Sequence, residues 1–303
     1  MDNLLFYGWT IFGAALFVGL CIGSFLNVVI YRLPIMLERL WRHELSEMFA
    51  AEQVVAKIDA QVGEQITNGP EQEKEEEAEP FNLMVPRSCC PHCKHLIHAW
   101  QNIPVISWLL LRGKCSNCKE KISIRYPIVE LLTGICTLVI VATFGYTWLG
   151  LACLFFTWAL IALTMIDLDT QLLPDQITLP LVWLGLLTNL SGGIVQIEDA
   201  IIGAVAGYLS LWSVYWAFKL ITGKEGMGYG DFKLLAAIGA WLGWQVLPGA
   251  ILVASIVGLL GALIGIALKK NSRQEPIAFG PYLAISGWVC LLARDTVLSF
   301  YLL

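Results

Sequence analysis

The sequence predicts an all-α polytopic membrane protein of about eight transmembrane helices, with a polar zinc-binding insertion between the first two. Three observations predict it. Apolar residues fill 57% of the 303 positions and charged residues 14%, against about 25% charged in soluble domains, and mean hydropathy is +0.68. The apolar residues gather into runs near the ~20 residues a bilayer requires. A single long polar stretch, residues 35–126, interrupts them and holds two C-x-x-C pairs. The net charge of −5, with no basic stripe, gives nucleic acid no footing. Membrane lipid is the surroundings this composition implies.

Asp2 stands where a signal peptide would carry positive charge, and the apolar run from Leu4 to Ile30 exceeds a signal core. The first run therefore reads as a retained span, Leu4–Tyr31, stopped by a charge and a helix breaker at Arg32-Leu-Pro34. Gly19 and Gly23 offer a small-residue packing face, and Ser24 and Asn27 suit hydrogen bonds between helices. After residue 34 comes an amphipathic stretch, Met36–Ile58, and then the acidic run Glu71–Glu79, which reads as a solvated loop. From Pro127 onward apolar runs fall near 127–144, 148–166, 177–192, 199–221, 232–245, 246–268 and 279–301. The chain thus divides into a first span (1–34), an insertion (35–126) and a membrane core (127–303).

Lys and Arg mark one side of the membrane. The loops with Arg32, Arg39, Arg42, Lys114, Lys119, Lys121 and Arg125 share it with those carrying Lys219, Lys224 and Lys233, and with Lys269, Lys270 and Arg273. The loops near Gly145 and Ser191–Ile197 carry neither residue. The positive-inside rule then places the N-terminus outside and the insertion in the cytoplasm.

Four of the nine cysteines, Cys21, Cys136, Cys153 and Cys290, lie inside apolar runs and read as small buried hydrophobes. Cys90-x-x-Cys93 and Cys115-x-x-Cys118, with residues 94–114 between them, have the spacing of a Zn(Cys)₄ site. Four thiolates close the coordination shell and leave no place for a reactive water, so such a Zn²⁺ is structural. Cys89 is out of register, and His92, His95 and His98 are alternative donors.

The remaining chemistry lies in carboxylates at the ends of apolar runs, where ionisable groups are costly and functional. One cluster is Asp167-Leu-Asp169, followed by Asp175 after Pro174, where helix capping is the natural role. The other is Asp231, delivered by Gly226-Met-Gly-Tyr-Gly-Asp, whose glycines permit positive φ and close approach. Lys233 follows, placed either to act on Asp231 or to snorkel toward the headgroups. Glu130 falls in the first turn of the 127–144 run, as a cap or a substrate contact. Two carboxyls brought together cannot both ionise readily, and such a pair can share a water and hydrolyse a peptide. Spacing alone leaves Asp167 and Asp169 tied.

The Gly-x-Gly-Asp231 run, the Asp167–Asp175 stretch, the cysteine pairs and Gly23-Ser-Phe-Leu-Asn-Val-Val-Ile-Tyr-Arg-Leu-Pro34 together resemble the type IV prepilin peptidases. The resemblance covers nearly the whole chain, Leu37–Pro80 excepted. It implies a bacterial inner-membrane aspartic protease with Asp167 and Asp231 as the catalytic pair. It also implies leader cleavage from prepilins and pseudopilins after a glycine, then N-methylation of the new terminus from S-adenosylmethionine. A glycine corresponding to Gly113 is linked to the methyltransferase by the same resemblance. An ion- or proton-coupled transporter is the rival reading, but its carboxylates belong near the midplane on broken helices. A zinc protease would need H-E-x-x-H, which is absent from the sequence.

Overall fold

The structure, a computed structural model, describes residues 2–61, 81–224, 226–267 and 278–299. The acidic run at 71–79 and the basic Lys269, Lys270 and Arg273 lie outside them. The described residues form ten α-helices in the order α1 (Asp2–Gln61), α2 (Ile106–Leu110), α3 (Arg125–Phe144), α4 (Trp148–Thr170), α5 (Asp175–Leu190), α6 (Ile197–Thr222), α7 (Tyr229–Leu242), α8 (Leu247–Ala267), α9 (Gly280–Leu292) and α10 (Arg294–Ser299).

Helices at α1, α3, α4, α6 and α8 are long and apolar enough to cross a membrane. The other three expected runs correspond to α5, α7 and α9, of 16, 14 and 13 residues. At ~1.5 Å per residue α7 is about 21 Å long, short of the ~30 Å hydrocarbon core. It is apolar on every side, which suits a helix enclosed by protein rather than lipid. Apart from Lys233, every residue from Asp231 to Leu242 is buried. Phe156 and Leu163 of α4 and Leu283 of α9 close around Phe232, Leu235, Ile238 and Trp241. A smaller cluster, with Leu26, Ile30, Val129, Cys136 and Ile166, joins α1 and α3 to α4.

Backbone contact sets the depth of α7. A Cβ on Gly203 of α6 would stand 2.3 Å from the Gly239 carbonyl oxygen, and one on Gly239 would stand 2.1 Å from that of Gly203. Nothing larger than hydrogen fits this crossing. Gly19 and Gly23 press in the same way against Gly134 and Glu130 of α3. Asn27 Nδ2 donates to the Tyr126 carbonyl at 3.1 Å, an interhelical bond of the expected kind.

Pro34 does not stop α1, which runs through it to Gln61. A proline removes one backbone bond, and the residues after it (Met36, Leu37, Glu38, Arg39, Leu40) are good helix formers that carry the ladder onward. Arg32, 8% exposed, acts as an anchor instead of a terminus. Its guanidinium donates to the carbonyls of Asn82 and Pro86 at 2.8 and 2.6 Å and lies over Phe81.

Candidate active site and metal centre

The cysteines come together through two copies of one local turn. In each, the first cysteine's amide bonds a carbonyl five residues on: Cys90 to His95 at 2.9 Å and Cys115 to Glu120 at 2.8 Å. In each, its carbonyl accepts the amide of the lysine after the second cysteine, Lys94 or Lys119. Those lysines take left-handed φ of 56° and 62°, and short antiparallel bridges, Cys89 with Leu96 and Lys114 with Lys121, close both turns. The four Sγ atoms lie within 4.8 Å of one another, and Cys90 Sγ is 3.8 Å from Cys118 Sγ. Sulfurs at ~2.3 Å tetrahedrally around one ion would be about 3.8 Å apart, so the donor set fits a single metal. The His95 amide, then Asn117, lowers the Cys93 thiol to about 6, toward the thiolate a metal needs. Cys89 stays outside the cluster.

Gly113 ends the segment between the turns. It has φ 65°, follows Arg112 at φ 51°, and is buried with the Trp108 ring at its back, where a Cβ would lie 2.8 Å from the indole. Its amide bonds the Trp108 carbonyl and its carbonyl accepts from Ile122, both at 2.8 Å. The backbone of this glycine thus holds α2 to the second cysteine turn.

At the end of the bundle where α4 finishes and α7 begins, the carboxylates separate into two kinds. Asp169 pairs with Arg125, whose other nitrogen donates to the Met165 carbonyl at 3.1 Å. Asp175 takes Lys233 on both oxygens, at 2.6 and 2.8 Å. It does not cap α5, since the preceding Pro174 fills the cap position and Asp175 is the first helical residue. Lys233 is turned to that partner, Asp175, rather than paired with Asp231. Among the described residues Asp167 and Asp231 have no such cations: they are 5% and 7% exposed, and the Asp167 charge reaches Asp231.

Each is oriented by a backbone amide at a helix start. Asp231, third residue of α7, reaches back to the Gly228 amide at the cap, as the third residue of a capping box does. Asp167 accepts the amide of Gly280, first residue of α9. Its Oδ2 is buried with no partner among the described residues, and a Cβ on Gly280 would lie 2.6 Å from it. The sequence marks Gly280 only by the helix-start signal Gly280-Pro281 before an apolar run, which says nothing of Asp167. The glycines before Asp231 serve differently from expectation. None of Gly226, Gly228 and Gly230 has positive φ, and Gly230 instead admits Leu173, at 2.6 Å from where its Cβ would be.

Glu130 sits two residues further into α3 than expected, because the helix starts at Arg125. It is 8% exposed, and it accepts the Val105 amide at 2.7 Å and a bond from Ser24.

Residues 17–144 match the bacterial peptidase A24 N-terminal domain, and residues 154–263 match the type IV leader peptidase family. The prepilin leader peptidase/N-methyltransferase of Aeromonas hydrophila is 55% identical over 97% of this chain and 94% of its own length. The chain belongs to the type IV leader peptidase family. Relatives of the same description from Pseudomonas aeruginosa and Neisseria gonorrhoeae are each 49% identical, over 94% and 92% of this chain and 91% and 90% of their own lengths. No solved structure gives a significant match. In this family member Asp167 and Asp231 are, among the described residues, the aspartates at this end of the bundle without a cation.

Proposed function

We propose that this membrane enzyme cuts the leader from prepilins and pseudopilins with Asp167 and Asp231, then N-methylates the new terminus. One observation carries the assignment of residues. Of the aspartates described at this end of the bundle, these two are buried, within reach of each other's charge and without a cation among the described residues, while Asp169 and Asp175 are committed to Arg125 and Lys233. Two such groups hold one proton between them.

The charged member takes a proton from a water as its oxygen attacks the scissile carbonyl carbon, and the protonated member donates to the carbonyl oxygen. Collapse of the tetrahedral diol returns a proton to the amide nitrogen, breaks the C–N bond and leaves a leader carboxyl and a new amine. The pair acts as one titrating unit. The Gly280 and Gly228 amides fix which way each carboxyl faces, and close packing around α7 excludes bulk water. A prepilin, a basic leader joined to an apolar helix, brings its cleavage site to the membrane boundary, where both helix ends lie.

Cys90, Cys93, Cys115 and Cys118 would hold a structural Zn²⁺ that ties the two cysteine turns of the insertion together beside the core 127–303. S-adenosylmethionine, when bound, supplies an electrophilic methyl group. Gly113 is packed against Trp108 and points no donor outward, so its part is to hold the local backbone and no methyl-transfer step passes through it. The charge bias of the loops supports an N-terminus in the periplasm and the insertion in the bacterial cytoplasm.

The test is to incubate purified protein with a prepilin peptide and the methyl donor and read masses. A product shortened by the leader and heavier by one methyl group is expected. An intact peptide overturns the assignment.

A further inference from the structure

Part of the cysteine-bearing insertion is bonded to the early turns of a span: the Val105 amide donates to Glu130 of α3 at 2.7 Å. With 20 residues, α3 is about 30 Å long at ~1.5 Å per residue, the thickness of the hydrocarbon core. Its first residue, Arg125, therefore marks the boundary, and the end of α4 agrees, since Asp169 pairs with Arg125 there. Glu130 lies further along α3, about 7 Å inside that level by the same rise. Its side chain leans back toward the helix start, so the Val105 amide it accepts at 2.7 Å is a few ångströms inside the boundary.

The contact is maintained against backbone preference. Val105 has φ 59°, which a β-branched residue avoids. α2 begins at the next residue. It turns Ser107 inward and leaves Ile106 55%, Leu109 60% and Leu110 72% exposed, with Ile103 at 43% just before. A cluster of this kind marks an interaction surface. Ile124 and Ile128 at the start of α3 are exposed as well, and the segment is followed by exposed Arg112 and Lys114.

We propose that residues 103–110 form a membrane-inserted segment in the leaflet where α3 begins. Acyl chains cover Ile103, Ile106, Leu109 and Leu110, and anionic headgroups meet Arg112 and Lys114. The depth matches the ~5–10 Å of interfacial apolar elements. It follows that Gly113 and Trp108 are at the bilayer surface. A substrate whose apolar helix stays in lipid would expose its new N-terminus at that level. This last step rests on the proposed methyltransferase reading, whereas the depth rests on the span α3 alone.

The experiment places a fluorescent amino acid at Leu109, or at Leu110, in the full-length protein in phosphatidylethanolamine/phosphatidylglycerol nanodiscs. Lipids carrying a nitroxide near the headgroup serve as quenchers. Quenching equal to that of a probe at Ile128 is expected. Quenching no stronger than that of a probe at Glu120, on the exposed second cysteine turn, overturns the proposal, including the case where a second copy or another protein covers the patch. Leader cleavage and zinc content of each labelled protein show that it is folded. Leu110 replaces Leu109 if the first variant fails that check.

Discussion

The cysteine cluster and the carboxylate pair share one polypeptide but are held by different means. Each cysteine turn closes with its own backbone bonds, Cys90 to His95 and Cys115 to Glu120, and only the meeting of the two turns is tertiary. Asp167 and Asp231 have no local device that brings them together. They share one end of the bundle because α7 is wrapped by α4, α6 and α9, because Gly203 and Gly239 let two backbones touch, and because Gly280 leaves room for a carboxylate. The first centre depends on its own few residues; the second depends on the bundle. Perturbing one should therefore leave the other standing.

The largest effect that tests this contrast is expected at the carboxylates. Asp167→Asn or Asp231→Asn should lower leader cleavage by about 10²–10⁴, the range of general acid–base catalysis, with zinc content unchanged. Peptide cleavage and metal analysis of one preparation read both. Next, Cys115→Ser should release the metal and make the insertion sensitive to protease, while residues 127–303 keep their protection. Equal loss in both regions would show that they fold as one. Gly280→Ala presses a methyl group on Asp167 Oδ2. Roughly tenfold slower cleavage, about 1.4 kcal/mol, is expected with little change in melting temperature.

Gly113→Ala forces an alanine to φ 65° beside Trp108. Methylation should fall while cleavage continues, measured on the same peptide by mass. The smallest effect belongs to Lys233→Ala. Its partner Asp175 has half its side chain exposed, and such pairs contribute about 0–1 kcal/mol, so a change in cleavage of no more than ~5-fold is expected.

The same contrast explains what the sequence discloses. Cys-x-x-Cys spacing is a local record, so the four-cysteine cluster is legible in the residues themselves. The left-handed Lys94 and Lys119 are not, since glycine is the usual occupant of that conformation. Apolar runs disclose the helices, including the short α5, α7 and α9. The path through Pro34 is hidden because a proline's effect depends on whether neighbours carry the ladder past it. Asp167 and Asp169 are indistinguishable in spacing, and the Arg125 that separates them lies on another helix. Gly280 is hidden for a similar reason, because nothing local to it mentions Asp167.

The central claim is that two carboxyls act as one unit on one amide. Single-turnover cleavage of a prepilin peptide by Asp167→Asn, Asp231→Asn and the double variant, each in zinc-loaded protein, tests it most directly. Groups that act together lose their effect together, so the double variant should be no slower than either single one. Losses that multiply, or cleavage at the parent rate by either single variant, would contradict it.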